Sequence, residues 1–134
     1  MNFWIIKSDP ESYSWDDMKK DKKTFWDGVR NYQARNNLKL MKKSDICLFY
    51  LSNKDKALSG EVTVVKEYYQ DPTTDDERWV CVDVKYKKEY KNYVTLAEMK
   101  NTPELQNISL IKQSRLSVMP ITEDEYNKIL EMSQ

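Results

Sequence analysis

The sequence predicts an α+β fold in a single domain over residues 1–134. Three observations lead there. Strand-length apolar or alternating runs stand at Phe3–Lys7, Asp45–Leu51, Gly60–Tyr69 and Trp79–Tyr86. Ser/Thr-x-x-Asp/Glu patterns, each the local signature of a capped helix start, fall between and after them. No repeat, linker or low-complexity tract interrupts a length that supports one core without disulfides or metals.

In chain order, Phe3 to Lys7 reads as a short strand. Ser14 to Lys20 reads as a short helix, with Ser14 as N-cap and Asp17 three residues on. The main helix runs from about Asn31 to Lys42. Asn31 is its N-cap, and Ala34, Leu38 and Met41 recur at spacings of four and three to build one apolar face, while Arg35, Lys39 and Lys42 fall on others. Asp45 to Leu51 is a continuous apolar strand, with Asn53-Lys54-Asp55 as the turn after it. Gly60 to Tyr69 is β-branched and aromatic, a long strand, and Gln70 to Arg78 is a polar loop. From Trp79 to Tyr86 the residues alternate, Val80, Val82, Val84 and Tyr86 against Cys81, Asp83 and Lys85. Thr95-Leu96-Ala97-Glu98 and Thr122-Glu123-Asp124-Glu125 open two further short helices, the last with a stripe of Tyr126, Ile129 and Leu130. Arg115 to Met119 forms a final strand, stopped by Pro120. A mostly antiparallel sheet fits this pattern.

Composition narrows the chemistry. There is no histidine, which excludes Ser-His-Asp and Cys-His catalysis and His-containing zinc sites. Two cysteines, Cys47 and Cys81, both inside strand-like runs, are expected as buried reduced thiols and cannot make a four-thiolate zinc site. With two glycines in the chain, phosphate-cradling loops of the Walker or dinucleotide type are missing. No apolar run approaches bilayer length, and no leader-like segment opens the chain. Net charge is zero, from 22 basic and 22 acidic residues, so an overall basic domain is not what would attract nucleic acid. The charges do segregate: Arg30 to Lys43 holds five basic residues and no acid, while Thr73 to Glu77 and Ile121 to Glu131 are acid-rich.

The most informative stretch is Phe25-Trp26-Asp27-Gly28-Val29-Arg30-Asn31-Tyr32-Gln33-Ala34-Arg35-Asn36. A flat indole lies beside a glycine, a helix N-terminus and two guanidinium groups. Two readings of it stand: a buried tryptophan anchoring a helix with solvated charges around it, or a place to hold a planar anionic ligand such as a nucleotide.

This run resembles the signature of the EVE domain, a member of the PUA-like superfamily that also holds the YTH readers of methylated adenine. The likeness continues in order through Trp4-Ile5-Ile6-Lys7-Ser8-Asp9-Pro10, Asp45-Ile46-Cys47-Leu48-Phe49-Tyr50-Leu51-Ser52-Asn53, Gly60-Glu61-Val62, Trp79-Val80-Cys81-Val82-Asp83-Val84 and Arg115-Leu116-Ser117-Val118-Met119-Pro120-Ile121. It spans roughly Phe3 to Leu130. The resemblance implies a small mixed β-barrel of about five to six strands, flanked by short helices. One position departs: Leu51 stands where many relatives carry histidine, so any contact of that imidazole is missing here.

What remains after the exclusions is recognition chemistry. A reader of one modified base must take it out of the stack, sandwich it between flat side chains and satisfy its hydrogen-bonding edge. The candidate stacking wall is Trp26, a role the tryptophan of the equivalent loop has in YTH readers. Ser8, Asn31, Ser52 and Asn53 are candidate edge readers, Arg30 and Arg35 candidate phosphate contacts, and Val29 and Tyr32 complete the set. Ser8 and Asn53 are equally well explained as turn residues, and Trp4 and Trp79 read as core. The resemblance implies a non-catalytic module that binds a methylated or hydroxymethylated cytosine in DNA, with modified RNA as the alternative. A second alternative is a small hydrolase like the ASCH relatives, acting on RNA or acylated cytidine, with Lys7, Thr63 and Glu61 supplying the residue types. The expectation is a monomer without cofactor, metal or membrane contact, cytoplasmic in a bacterium and nuclear in a eukaryote.

Overall fold

The computed structural model of the protein describes residues 1–9, 11–53 and 55–134, and its strands form one mixed sheet. The strands are β1 (Phe3–Ser8), β2 (Lys23–Trp26), β3 (Ile46–Leu51), β4 (Ala57–Gln70), β5 (Val80–Thr95) and β6 (Val118–Ile121). The helices are α1 (Trp15–Asp21), α2 (Tyr32–Leu40), α3 (Leu96–Lys100), α4 (Ser109–Lys112) and α5 (Glu123–Met132). The sheet order is β2-β5-β4-β3-β1-β6, with β1 and β3 parallel and every other pair antiparallel.

The α+β class and the six-strand mixed sheet match the sequence expectation, but the sheet does not close into a barrel. Among the described residues β2 hydrogen-bonds to β5 alone and β6 to β1 alone, and each is four residues long. Helix α2 takes the place of a closing seam. It packs against β4, β5 and β6, and Asn37 Nδ2 donates to the Val118 carbonyl at 2.7 Å. One orphan edge acceptor is thereby satisfied by a side chain rather than by a strand.

The helix starts follow the local chemistry. Ser14, Thr95 and Thr122 each cap a helix in a reciprocal box with Asp17, Glu98 and Glu125. Asn31 accepts from the Ala34 N–H at 2.9 Å and opens α2, which buries Ala34 and Leu38. Pro120 does not stop the last strand as expected. It lies inside β6, opposite Trp4, and an edge strand tolerates the missing N–H. β4 and β5 run longer than their patterns predict, and β2 is an added strand. Lys54, in the predicted turn, and Pro10 lie outside the described residues.

The core gathers Ile5, Ile6, Leu48, Phe49, Leu58, Val62, Val82 and Val84 from the sheet with Trp15, Met18, Ala34 and Leu38 from the helices. Gly60 is where β4 passes beneath Trp15: a Cβ there would run into the indole ring and the Lys88 carbonyl. Cys47 and Cys81 are both buried and free. No helix among the described residues is long and apolar enough to cross a membrane.

Candidate functional site

Beside the C-terminal end of β1 and the segment joining β2 to α2 lies a cavity of about 500 Å³. Such a volume falls inside the range of about 300–1,000 Å³ typical of ligand sites. Three stretches of chain build it. β1 contributes Lys7 and Ser8, the turn before α1 contributes Asp9, Ser12 and Tyr13, and the run from Thr24 to Asn31 supplies the rest, closed by Ser117.

Trp26 ends β2 and is only 8% exposed, packed edge-on against Phe49 at 5.5 Å and against Tyr13 at 6.2 Å. It joins core to cavity: the ring is a core residue that also lines the cavity wall. Tyr13 donates its hydroxyl to Asp21 at 2.9 Å. Burial and that bond push its pKa up to about 12, leaving a neutral phenol at the cavity.

After Trp26 the chain must turn sharply into α2. Gly28 adopts φ 76°, a left-handed conformation that disfavours side chains. Its N–H donates to Asp71 Oδ2 at 2.8 Å. Asp71 is fully buried and also receives the Arg30 guanidinium at 3.1 Å and the Thr73 N–H at 2.7 Å. Burial alone would raise the carboxyl, but the bonds from Thr73, Gly28 and Arg30 outweigh it and hold the pKa at about 2. One buried carboxylate in the loop after β4 therefore fixes the backbone of the cavity rim. Val29 is buried beside it, and Arg30, at 40% side-chain exposure, also lies 5.7 Å from the Trp79 ring.

The structure brings Ser8, Trp26, Val29, Arg30 and Asn31 to the cavity. The Ser8 hydroxyl donates to the Tyr13 carbonyl, and the Asn31 side-chain oxygen is engaged as the helix cap. Ser52, Asn53, Tyr32 and Arg35 are not in the lining. Ser52 bonds back to the Ser8 carbonyl at 3.1 Å, and Asn53 accepts from the Asp55 N–H at 3.4 Å, the geometry of a turn residue. Tyr32, 52% exposed, stacks on Trp79 at 5.2 Å. Arg35 lies over the Tyr32 ring at 5.0 Å and bonds to Asn36. Trp79 is half-buried in this aromatic and arginine stack instead of lying in the core, whereas Trp4 is buried and donates to Asp45 at 3.0 Å.

The residue types of the hydrolase alternative do not converge. Lys7 pairs across the sheet with Tyr50, while Thr63 pairs with Ile46, four residues along the same strand. At the usual strand rise that offset is about 13 Å. Glu61 turns to the Tyr90 and Tyr126 hydroxyls, at 2.9 Å each. Lys7 instead donates from Nζ to the Ser114 carbonyl at 2.6 Å, and burial lowers its pKa.

Lys7, Tyr13, Thr24, Phe25 and Ser117 join the cavity without having been singled out as its lining. Lys7 adjoins Ser8 in the Lys-Ser-Asp-Pro run, a signal that was present. Tyr13 and Ser117 arrive from distant segments and carry no local mark.

Comparisons with known proteins extend this picture. The model of the EVE domain family matches residues 2–132. Mouse thymocyte nuclear protein 1 is 35% identical over 167 residues, covering 99% of this chain and 74% of the relative. Human THYN1 protein, solved in complex with DNA containing 5-methylcytosine, superposes with a TM-score of 0.93 at 33% identity, covering 100% of this chain and 98% of that one. The YTH domain of MmI1 matches with a TM-score of 0.62 at 18% identity, covering 98% of this chain and 94% of that one, a likeness of fold.

Proposed function

Because this chain belongs to the EVE domain family, we propose that it is a non-catalytic nucleic-acid-binding module that holds one modified base, a methylated or hydroxymethylated cytosine in DNA, in the cavity beside Trp26. The observation that carries the reading is the cavity itself. Its lining combines Tyr13, Phe25 and Trp26 with hydroxyls, an amide and the Arg30 guanidinium. Aromatic residues supply stacking of about 1–3 kcal/mol per base whatever its identity. Selectivity then falls to the polar groups at the base edge, for which Ser8 and Asn31 are nearest, and Ser52 stands behind Ser8. Val29 forms apolar floor. Arg30 at the rim, with Arg35 and Tyr32 beyond it, faces the backbone of the bound strand. The 5-methylcytosine DNA bound by the human relative supports DNA as the polymer and cytosine as the base. A homologous nuclear protein supports a nuclear setting where the host cell has a nucleus.

The test is direct binding to oligonucleotides that differ in one base modification, in DNA and in RNA, each presented single-stranded, mispaired and fully paired. A base can enter the cavity only when its faces are free, and extrusion from a paired duplex costs a few kcal/mol. Affinity should therefore be highest for modified cytosine in DNA and should rise when that position is mispaired. Equal affinity for every modification, or tightest binding to the matched duplex, would sink the base-pocket reading.

A further inference from the structure

A second cavity of about 330 Å³ adjoins the first. Its walls come from Asn31 and Gln33 at the start of α2 and from the segment 112–116 after α4. Asn31 belongs to both cavities. The partition between them is stitched by Lys7, whose Nζ donates to the Ser114 carbonyl at 2.6 Å and whose N–H donates to the Ser117 carbonyl at 2.9 Å.

Charge separates the two flanks of the first cavity. On the Trp79 side, Arg30 is paired with Asp71 and Arg78 with Asp76, and Arg35 is bonded to Asn36. In the second cavity Lys112 and Arg115 are both exposed, and among the described residues neither meets a carboxylate. The lining contains no acid at all, and neither does the first turn of α2. In a chain of zero net charge, an acid-free recess holding two unpaired cations is a local arrangement and not a general background. Amide side chains of Asn31, Gln33 and Gln113 add neutral donors around it.

We propose that the second cavity is a phosphodiester subsite that takes the backbone phosphate next to the base held in the first, with Lys112 and Arg115 as its charge contacts. It rests on the reading of the first cavity as a base pocket. An arginine offers a planar fork to phosphate oxygens and a lysine a mobile point charge, so the pair suits one or two adjacent phosphates. The bound strand then leaves the base pocket past Asn31 toward residues 112–116. Arg30, already neutralised by Asp71, contributes less to the salt dependence than either of these cations.

The probe is a short unmodified oligothymidylate, titrated by fluorescence anisotropy over a salt series and compared with the same strand carrying one modified cytosine. Lys112→Ala/Arg115→Ala removes two cations from solvent-exposed positions. Lys91→Ala/Lys100→Ala removes the same charge elsewhere. For single strands each lost phosphate contact lowers the slope of log affinity against log salt by about 0.7. The first double variant should therefore lose about 1.4 in slope, and the second should keep the wild-type slope. An unchanged slope in the first variant, an equal drop in both, or no binding of oligothymidylate by the wild-type chain at low salt would overturn the subsite. The two proposals fail separately. A slope that depends on Lys112 and Arg115 without any preference for a modified base leaves a phosphate contact at these cations and removes the modified-base reading of the first cavity, and a retained preference with an unaltered slope removes the phosphate contact and leaves that reading.

Discussion

Removing the Trp26 indole would withdraw a ring that touches Phe49 on one side and borders the cavity on the other. At 8% exposure it is first a core residue, so Trp26→Ala should cost about 3–5 kcal/mol of stability in denaturant unfolding. The variant that isolates recognition is Trp26→Phe, which retains a ring. It should stay folded and lose about 1 kcal/mol of affinity for the modified base, near the lower end of what one stacked base contributes. A folded phenylalanine variant with wild-type affinity would remove Trp26 from the stacking role. Asp71 is the other residue on which the site depends. Its folded pKa of about 2 lies below the ordinary 3.8, so its contribution to stability is complete above the unfolded value and fades as pH falls toward 2. Asp71→Asn should lower stability at neutral pH by about 1.5–3 kcal/mol, the range for hydrogen bonds to a charged group. Melting curves of the two proteins should converge as pH approaches 2. A constant gap across that interval would show that the loss is steric and not a matter of charge.

Helices and strands differ in how openly the sequence declares them. The starts of α1, α2, α3 and α5 were legible because a cap is a contact within four residues, and Ser14, Asn31, Thr95 and Thr122 all cap as their patterns require. β2 was not legible, since Lys23–Trp26 is an exposed edge strand that exists only because β5 offers it a partner. The second half of β5 was hidden for a related reason. Register shifts at Leu58/Gly60 and Glu61/Val62 break its alternation, so the Tyr-Lys-Lys-Glu-Tyr segment looks like loop. The same logic divides the site. Ser8, Trp26, Val29, Arg30 and Asn31 sit near one another in two runs and were found, while Tyr13 and Ser117 enter through tertiary packing alone. Ser52, Asn53, Tyr32 and Arg35 satisfy one another or their neighbours outside the cavity. Capping has its own consequence for α1, which delivers Trp15 and Met18 to the core and starts just after Tyr13. Ser14→Ala should cost about 1 kcal/mol and lower the melting temperature by a few degrees. An unchanged melting temperature would mean that packing of Trp15 alone holds the helix.

On the scale of the molecule, one core spans the sheet and includes Cys47, while Cys81 is buried outside that cluster. Burial raises the Cys47 and Cys81 thiols above their ordinary pKa, so neither offers a thiolate at neutral pH. A thiol reagent should therefore modify both only as fast as the whole fold opens, and immediately in denaturant. Rapid labelling of either in the native protein would reveal a local opening around it. The sheet order carries a further consequence. β1 lies between β3 and β6, with Phe3 opposite Ile121 and Ile6 opposite Val118. Before β6 is in place, that flank of β1 is bare and Ser117 has not reached the cavity wall. Until β6 docks, the folding polypeptide holds an unfinished pocket and a bare strand edge, a template for mispairing. Completion of the cavity wall is thereby tied to a pairing between the first and the last strand of the sheet.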